Sequence, residues 1–350
     1  ISSGGTVANA EGFIGFRTDS SGNSALITGA NSLWTNGGAL QVGSQGSGNS
    51  LVIAGGGTVA NTDGNIGFAS SAASNSVLVT GANSLWTNSS EIFVGVAGSG
   101  NALVISNAGQ VAASAGFIGT GPDSSDNSVL VTGTSSTLTS SGRLDVGSGG
   151  SGNTMTIADG GSVSGAEGYL GAVANSSNNS VLVTGANSLW TNSGNLGIGF
   201  RGNGNSLVIS NGGTVANADG YIGGGANSSN NSVLVSGTSS LWANGNELLV
   251  GNSGSSNSLI ISNGGTVANS RGTIGEGSGS SNNSVLVTGS NSLWTNSQGL
   301  NIGRFGSGNS LVISDGGTVT SATGSLGSLD TATGNSALIT GANSLWTNGG

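Results

Sequence analysis

Apolar residues run along this chain in short bursts, each closed by Gly, Asn or Ser, and the bursts fall into groups of three. One group, from position 179, reads NSVLVTGANSLWTNSGNLGIG, and the next, from 205, reads NSLVISNGGTVANADGYIGGG. Segments this short, bounded by turn residues and without a 3.6 period, predict strands and no helix. Three strands per group predict a roughly triangular coil.

The groups recur on a fixed period. Asparagine stands at 23, 49, 75, 101, 127, 153, 179, 205, 231, 257, 283, 309 and 335, every 26 residues. The phrase SLWTN places Trp34, Trp86, Trp190, Trp242, Trp294 and Trp346 at multiples of 52, with Leu138 in the one remaining slot. The repeat is therefore a pair of coils, called here the Trp coil and the Val coil. A coil of this size cannot bury its own apolar face and must stack on its copies. Parallel crossovers within one sheet are right-handed in the great majority of cases. The predicted fold is an all-β, right-handed parallel β-helix (β-solenoid), with three strands per 26-residue coil and a 52-residue two-coil repeat. The expected organisation is one continuous solenoid over 1–350: a partial repeat at 1–22, full repeats at 23–74, 75–126, 127–178, 179–230, 231–282 and 283–334, and a partial repeat at 335–350. About 13 coils spaced about 4.8 Å apart predict a length on the order of 65 Å.

Columns that stay apolar in every copy are expected to point inward. In the first strand, Val77 and Val79 stack on Leu103 and Ile105. In the second, Trp34, Trp86 and Trp190 stack on Val59, Val111 and Val215, and Trp242, Trp294 and Trp346 continue the column. Large and small side chains thus alternate, because two stacked indoles would overfill the space that an indole and a valine share. Leu196 with Ile198, Leu248 with Val250, and then Ile222 or Ile274 complete the core from the third strand. Glycines from Gly15 and Gly43 through Gly303 and Gly327 close that strand, where a corner requires positive φ or close backbone approach. The 26-residue asparagine column has two readings, a stacked amide ladder or a left-handed turn position, and both are structural.

Composition removes most chemistry. The chain has 350 residues with 70 glycines, one proline, and no histidine, cysteine or lysine. Triads built on histidine, thiolate nucleophiles, Cys/His metal sites and the phosphate-loop lysine are excluded. Five arginines (Arg17, Arg143, Arg201, Arg271, Arg304) against 14 acids give 5 − 14 = −9, which repels a phosphate backbone, so no nucleic-acid partner is expected. No run of about 18 apolar residues exists, and the chain is not expected to span a membrane. No catalytic, cofactor-binding or metal-binding residue is assigned, and no cofactor is expected. The Asp/Asn/Gly turns lack the Gly-Gly-x-Gly-x-Asp repeat that builds calcium sites. Glu11, Asp63, Glu167 and Asp219 share a column that also holds Ala115, Arg271 and Thr323; two coils apart, such acids lie roughly 9.6 Å from each other. That spacing borders on the about 6.5–9.5 Å of inverting glycosidases, yet a periodic acid without a converging partner reads as a solvated turn residue. Glu91, Arg143, Asn195 and Glu247 form a second column, expected to make weak surface ion pairs. Asn88-Ser89-Ser90 and Asn227-Ser228-Ser229 match the acceptor pattern for N-linked sugar.

GANSLWTN, a short strand ending in Val-Gly or Ile-Gly, and then LVISNGGTV resemble the repeats of bacterial type V secretion (autotransporter) passenger proteins, especially the Trp-containing repeats also found in PEP-CTERM-associated surface proteins. The resemblance covers essentially the whole chain. It implies a bacterial outer surface or extracellular setting and a stalk or adhesin without a catalytic motif. Neither a signal peptide nor a terminal β-barrel is present in the sequence, which starts and stops within a repeat, so a window on a longer protein is expected.

One column departs from ordinary strand alternation. The middle of the first strand should face outward, as Thr156 does, yet the other copies include Leu26, Leu78, Leu130, Leu182, Leu234, Leu286 and Leu338, with Val or Ile in the coils between. The outward column of the second strand adds Leu33, Leu85, Leu189, Leu241, Leu293 and Leu345. Exposed apolar stripes mark contacts. Self-association is expected, either lateral or with other segments of a longer chain, beside a host surface or polysaccharide as a further partner. The functional expectation is a non-enzymatic extracellular structural protein, a rigid stalk or filament of adhesin type. The alternative is a carbohydrate-binding or carbohydrate-cleaving β-helix of tailspike or pectate-lyase type.

Overall fold

The computed structural model describes residues 1–349. The chain is a right-handed parallel β-solenoid of about 13 turns of about 26 residues, each turn contributing one strand to each of three sheets. No helix occurs among the described residues. Two compact units, 1–166 and 167–350, carry the same plan. In the first unit the Trp coil that starts at Asn75 has strands Ser76–Thr80, Leu85–Asn88 and Glu91–Val94, and the Val coil after it has Ala102–Ser106, Gln110–Ala113 and Ala115–Ile118. In the second unit, Ser206–Ser210, Thr214–Asn217 and Gly220–Ile222 form a Val coil, and Ser232–Ser236, Leu241–Asn244 and Glu247–Val250 form the next Trp coil.

Every strand pairs in parallel with its counterpart one coil away. Val77 lies beside Leu103, Val79 beside Ile105, and Trp86 between Val59 and Val111. This register keeps each side of a strand constant from coil to coil, so the first strand alternates buried and half-buried positions. The inward positions of all three strands form the core. Val59, Val111, Val215, Leu196, Ile198, Ile222, Leu248, Val250 and Ile274 are buried. Trp86, Trp190, Trp242 and Trp294 are fully buried, whereas Trp34 and Trp346 are only half-buried. Trp34 packs beside Val7, whose strand Thr6–Asn9 is itself exposed, and Trp346 lies in the last described coil, so each indole is covered fully on one side alone.

Candidate functional site

The repeated polar residues are the first candidates for function, and the fold places them inside. Asn49 donates from its backbone N and from Nδ2 to Oδ1 of Asn75, at 2.9 and 3.0 Å, and Asn75 donates to Asn101 in the same way at 2.9 and 3.1 Å. The pattern continues to Asn153 in the first unit and runs from Asn179 to Asn335 in the second. None of these asparagines has positive φ, which decides for the amide ladder over the turn reading. Corner glycines make room for it. Gly67 has φ of +75°, and a Cβ there would lie 2.2 Å from Nδ2 of Asn101, so any side chain is excluded twice over.

A second set of contacts surrounds the tryptophans. The indole Nε1 of Trp86 donates to Oδ1 of Asn61 at 2.9 Å, and Asn61 Nδ2 donates to Oδ1 of Asn88 at 2.6 Å. Trp242 with Asn217 and Trp294 with Asn269 repeat the bond at 2.8 and 2.7 Å. Trp190 is buried as deeply, but its Nε1 meets no acceptor. The indole edge projects towards the third strand of the preceding Val coil, where a Cβ on Gly64 would sit 2.5 Å from Cζ2 of Trp86. Gly220 and Gly272 receive Trp242 and Trp294 likewise. Column comparison within one strand does not reveal the contacts with glycine, because they join strands of different sheets. The sequence holds a partial signal: Leu138 stands where Trp is expected, and 25 residues before it Ala113 replaces the asparagine, but Gly165 and Ser321 replace it before Trp190 and Trp346 as well. Buried serines such as Ser84 staple the turn between first and second strands, accepting from the N–H of Gly56 and donating to the carbonyl of Thr80.

The two charged columns expected from the sequence are one. Third strands start at alternating intervals, so Glu91 lies beside Ala115 and Glu247 beside Arg271. Ion pairs consequently form between adjacent coils, as in Arg271 with Glu247 at 2.5 Å, and not between residues 52 apart. Arg143 pairs with Asp145 on its own strand, and Arg304 pairs with Glu276. Asp63 and Asp219 accept from the backbone N–H of Glu91 and Glu247 at 3.2 and 3.1 Å, which gives these acids a strand-start bonding role. Burial, with the carboxylates of Asp219 and Glu247 adding to it, raises the Tyr221 phenol above its ordinary 10.0. Among the described residues no three acids gather as a metal site would require. A shallow groove of about 430 Å³ is lined by Thr35, Ala60, Thr87, Asn36 and the bonded pair Asn61 and Asn88. Asn88 is thus buried and its sugar-acceptor pattern is inaccessible, while Asn227 is exposed.

The outer faces differ in chemistry. No strand of the first or second sheet among the described residues carries a charged side chain. All five arginines lie in third strands or in the loops that follow them, where aromatics also gather. Phe93 stacks on Phe117 at 5.3 Å, Tyr169 packs on Phe200 at 4.6 Å, and Arg201 and Arg304 lie over Phe200 and Phe305. The first-sheet column points outward: Leu78, Leu130, Leu182, Leu234 and Leu286 are half-buried, and Leu26 and Leu338 are 51% and 53% exposed. Leu33, Leu85, Leu189, Leu241, Leu293 and Leu345 run along the second sheet instead, so the two leucine columns occupy separate sheets.

No family model matches the sequence, and no curated protein matches it. Among solved structures, the chain is similar to the crystal structure of a TibA fragment hyper-glycosylated by TibC, with a TM-score of 0.53 and 14% identity over 97% of this chain and 100% of that one. At that identity the likeness is one of fold.

Proposed function

We propose that the chain is a non-enzymatic structural protein of the bacterial exterior, a β-solenoid stalk of adhesin type that displays or spaces other parts and associates with its own kind. The observation that carries this reading is where the repeated polar residues go. The asparagine columns bond coil to coil, the amines of Trp34, Trp86, Trp242 and Trp294 bond to asparagine, and Asp63 and Asp219 bond to strand-start amides. Each coil thereby adds length with the same internal bonding, as expected of a scaffold. The autotransporter-like repeats and the fold shared with a TibA fragment support the cell-surface setting.

A carbohydrate-binding or carbohydrate-cleaving β-helix is the second reading, favoured by the aromatic and charged third-sheet face around Tyr221, Asp219 and Glu247. Reducing-sugar release from a panel of bacterial and host polysaccharides separates the two. The scaffold reading predicts no release above that of heat-denatured protein. Turnover that disappears in Asp219→Ala would reverse the ranking.

A further inference from the structure

The strands of the first sheet present an outer face with no charged side chain of their own and a central apolar ridge; the carboxylates of Asp159 and Asp315 reach its edge, where they accept from Thr132 and Thr288. In every coil but that of Thr156 the outward residues of this face are a small residue, then Leu, Val or Ile, then usually Thr or Ser, as in Ser180, Leu182 and Thr184. Register is unbroken from strand to strand, so the ridge is continuous from Leu26 to Leu130 in the first unit, where Thr156 ends it, and from Leu182 to Leu338 in the second. Hydroxyls flank it in bonded pairs, with Ser210 Oγ donating to Thr184 Oγ1 at 3.0 Å. A solvated strand normally alternates apolar and polar positions, and apolar residues on both sides of a strand indicate that both sides are covered.

We propose that this face is covered by the first-sheet face of a second copy of the chain, ridge against ridge between the hydroxyl rails. Three observations select that occupant. The chain carries a net charge of −9, so two copies repel unless they approach where charge is absent; the charged side chains lie in third strands, in the segments beside them, and at the turn residues Asp159 and Asp315. The ridge repeats with the coil, and a second copy offers the same spacing, so one register satisfies every coil at once. The ridge also alternates Leu in Trp coils with Val or Ile in most Val coils, so a one-coil stagger sets larger side chains against smaller ones.

Area sets the strength. A five-residue strand presents about 80 Å², from a rise of about 3.3 Å per residue and a strand spacing of about 4.8 Å. The six first-sheet strands of one unit or the seven of the other then give about 480–560 Å², short of the roughly 800 Å² per partner of a stable interface. Association is therefore weak for a single unit and tightens as more coils take part.

The proposal rests on the scaffold reading, but its test is independent of sugar release. Sedimentation velocity of the full chain over a wide concentration range should show reversible dimers. Leu182→Asp with Leu234→Asp should weaken them by more than about tenfold by placing desolvated charge in the contact. The control pair Leu189→Asp with Leu241→Asp, on the second sheet, should leave dimerisation unchanged. If the aspartate variants lose their far-ultraviolet β signal, Leu182→Thr with Leu234→Thr decides, since Thr156 already occupies this column, and weaker dimers are again expected. A chain that stays monomeric throughout, or one whose dimers resist the first-sheet variants or yield to the second-sheet pair alone, overturns the proposal.

Discussion

Two Trp-type coils of the first unit solve one packing problem in different ways. In the coil from Asn75, the fully buried Trp86 carries a polar amine into the core, and Asn61 of the preceding coil accepts its proton at 2.9 Å. In the coil from Asn127, Leu138 occupies the slot at 3% exposure, brings no donor, and pairs with Val111 on a strand ending at Ala113. Asparagine at that position accompanies the indole in the coils of Trp34, Trp86, Trp242 and Trp294 and is absent with it at Leu138, whereas Trp190 follows Gly165 and keeps an unbonded amine, and Trp346 bonds to Ser321. A buried polar group is tolerated when partnered, and here the partner is lost together with the need for it.

Removing the large side chain should have the greatest effect. Trp86→Ala leaves a cavity and an Asn61 Oδ1 without its donor, and is expected to lower local stability by about 3–5 kcal/mol, whereas Leu138→Ala should cost about 2–5 kcal/mol with no polar component. Hydrogen exchange of the flanking strand amides reads both. Next is the ladder common to the two coils. Asn101→Ala strips acceptors from the N–H and Nδ2 of Asn75 and should cost about 2–3 kcal/mol, and an equal loss is expected at Asn127, because the ladder is indifferent to which residue fills the second strand. Both variants should open the affected coil and its neighbours first in exchange experiments. Outside the core the effects shrink. Arg271→Ala breaks the pair with Glu247 on a partly exposed face and should cost less than about 1 kcal/mol, diminishing further with salt.

Tyr221 gives a pH-dependent control. Its phenol titrates above the ordinary value when folded, so the unfolded chain releases the proton first. The associated stability is complete below pH about 10 and is lost as pH rises through the folded value. Tyr221→Phe should remove that alkaline component from pH-dependent melting curves and leave the neutral range unchanged.

The fold was legible because its period is. Asparagine every 26 residues and Trp every 52 set the coil, the parallel register and the inward columns, and the corner glycines, Gly15 through Gly327, all have positive φ. What resisted reading lies between columns. The contact of Trp86 with Gly64 crosses from second to third sheet, so no comparison of equivalent strand positions contains it. The pairing of Glu247 with Arg271 was hidden because corner glycines fall at alternating intervals, as at Gly43, Gly67 and Gly95, which splits a single spatial column into two in the sequence. The leucine columns illustrate the same limit. Sequence places both outward, on the first and second strands, and the structure sets those strands in separate sheets, so the two columns do not merge into one stripe.

The double-mutant cycle of Asn61→Ala and Trp86→Leu tests most directly the claim that internal polar residues are matched to the side chains they serve. Local opening free energies from hydrogen exchange at the backbone amides of Val59 and of position 86 supply its four corners. The account predicts that Asn61→Ala costs about 1–3 kcal/mol beside Trp86 and less than about 1 kcal/mol in the Trp86→Leu background, the arrangement that Leu138 and Ala113 already represent. Equal costs in both backgrounds would contradict it, and would make Asn61 a general strand-end residue with no specific tie to the indole.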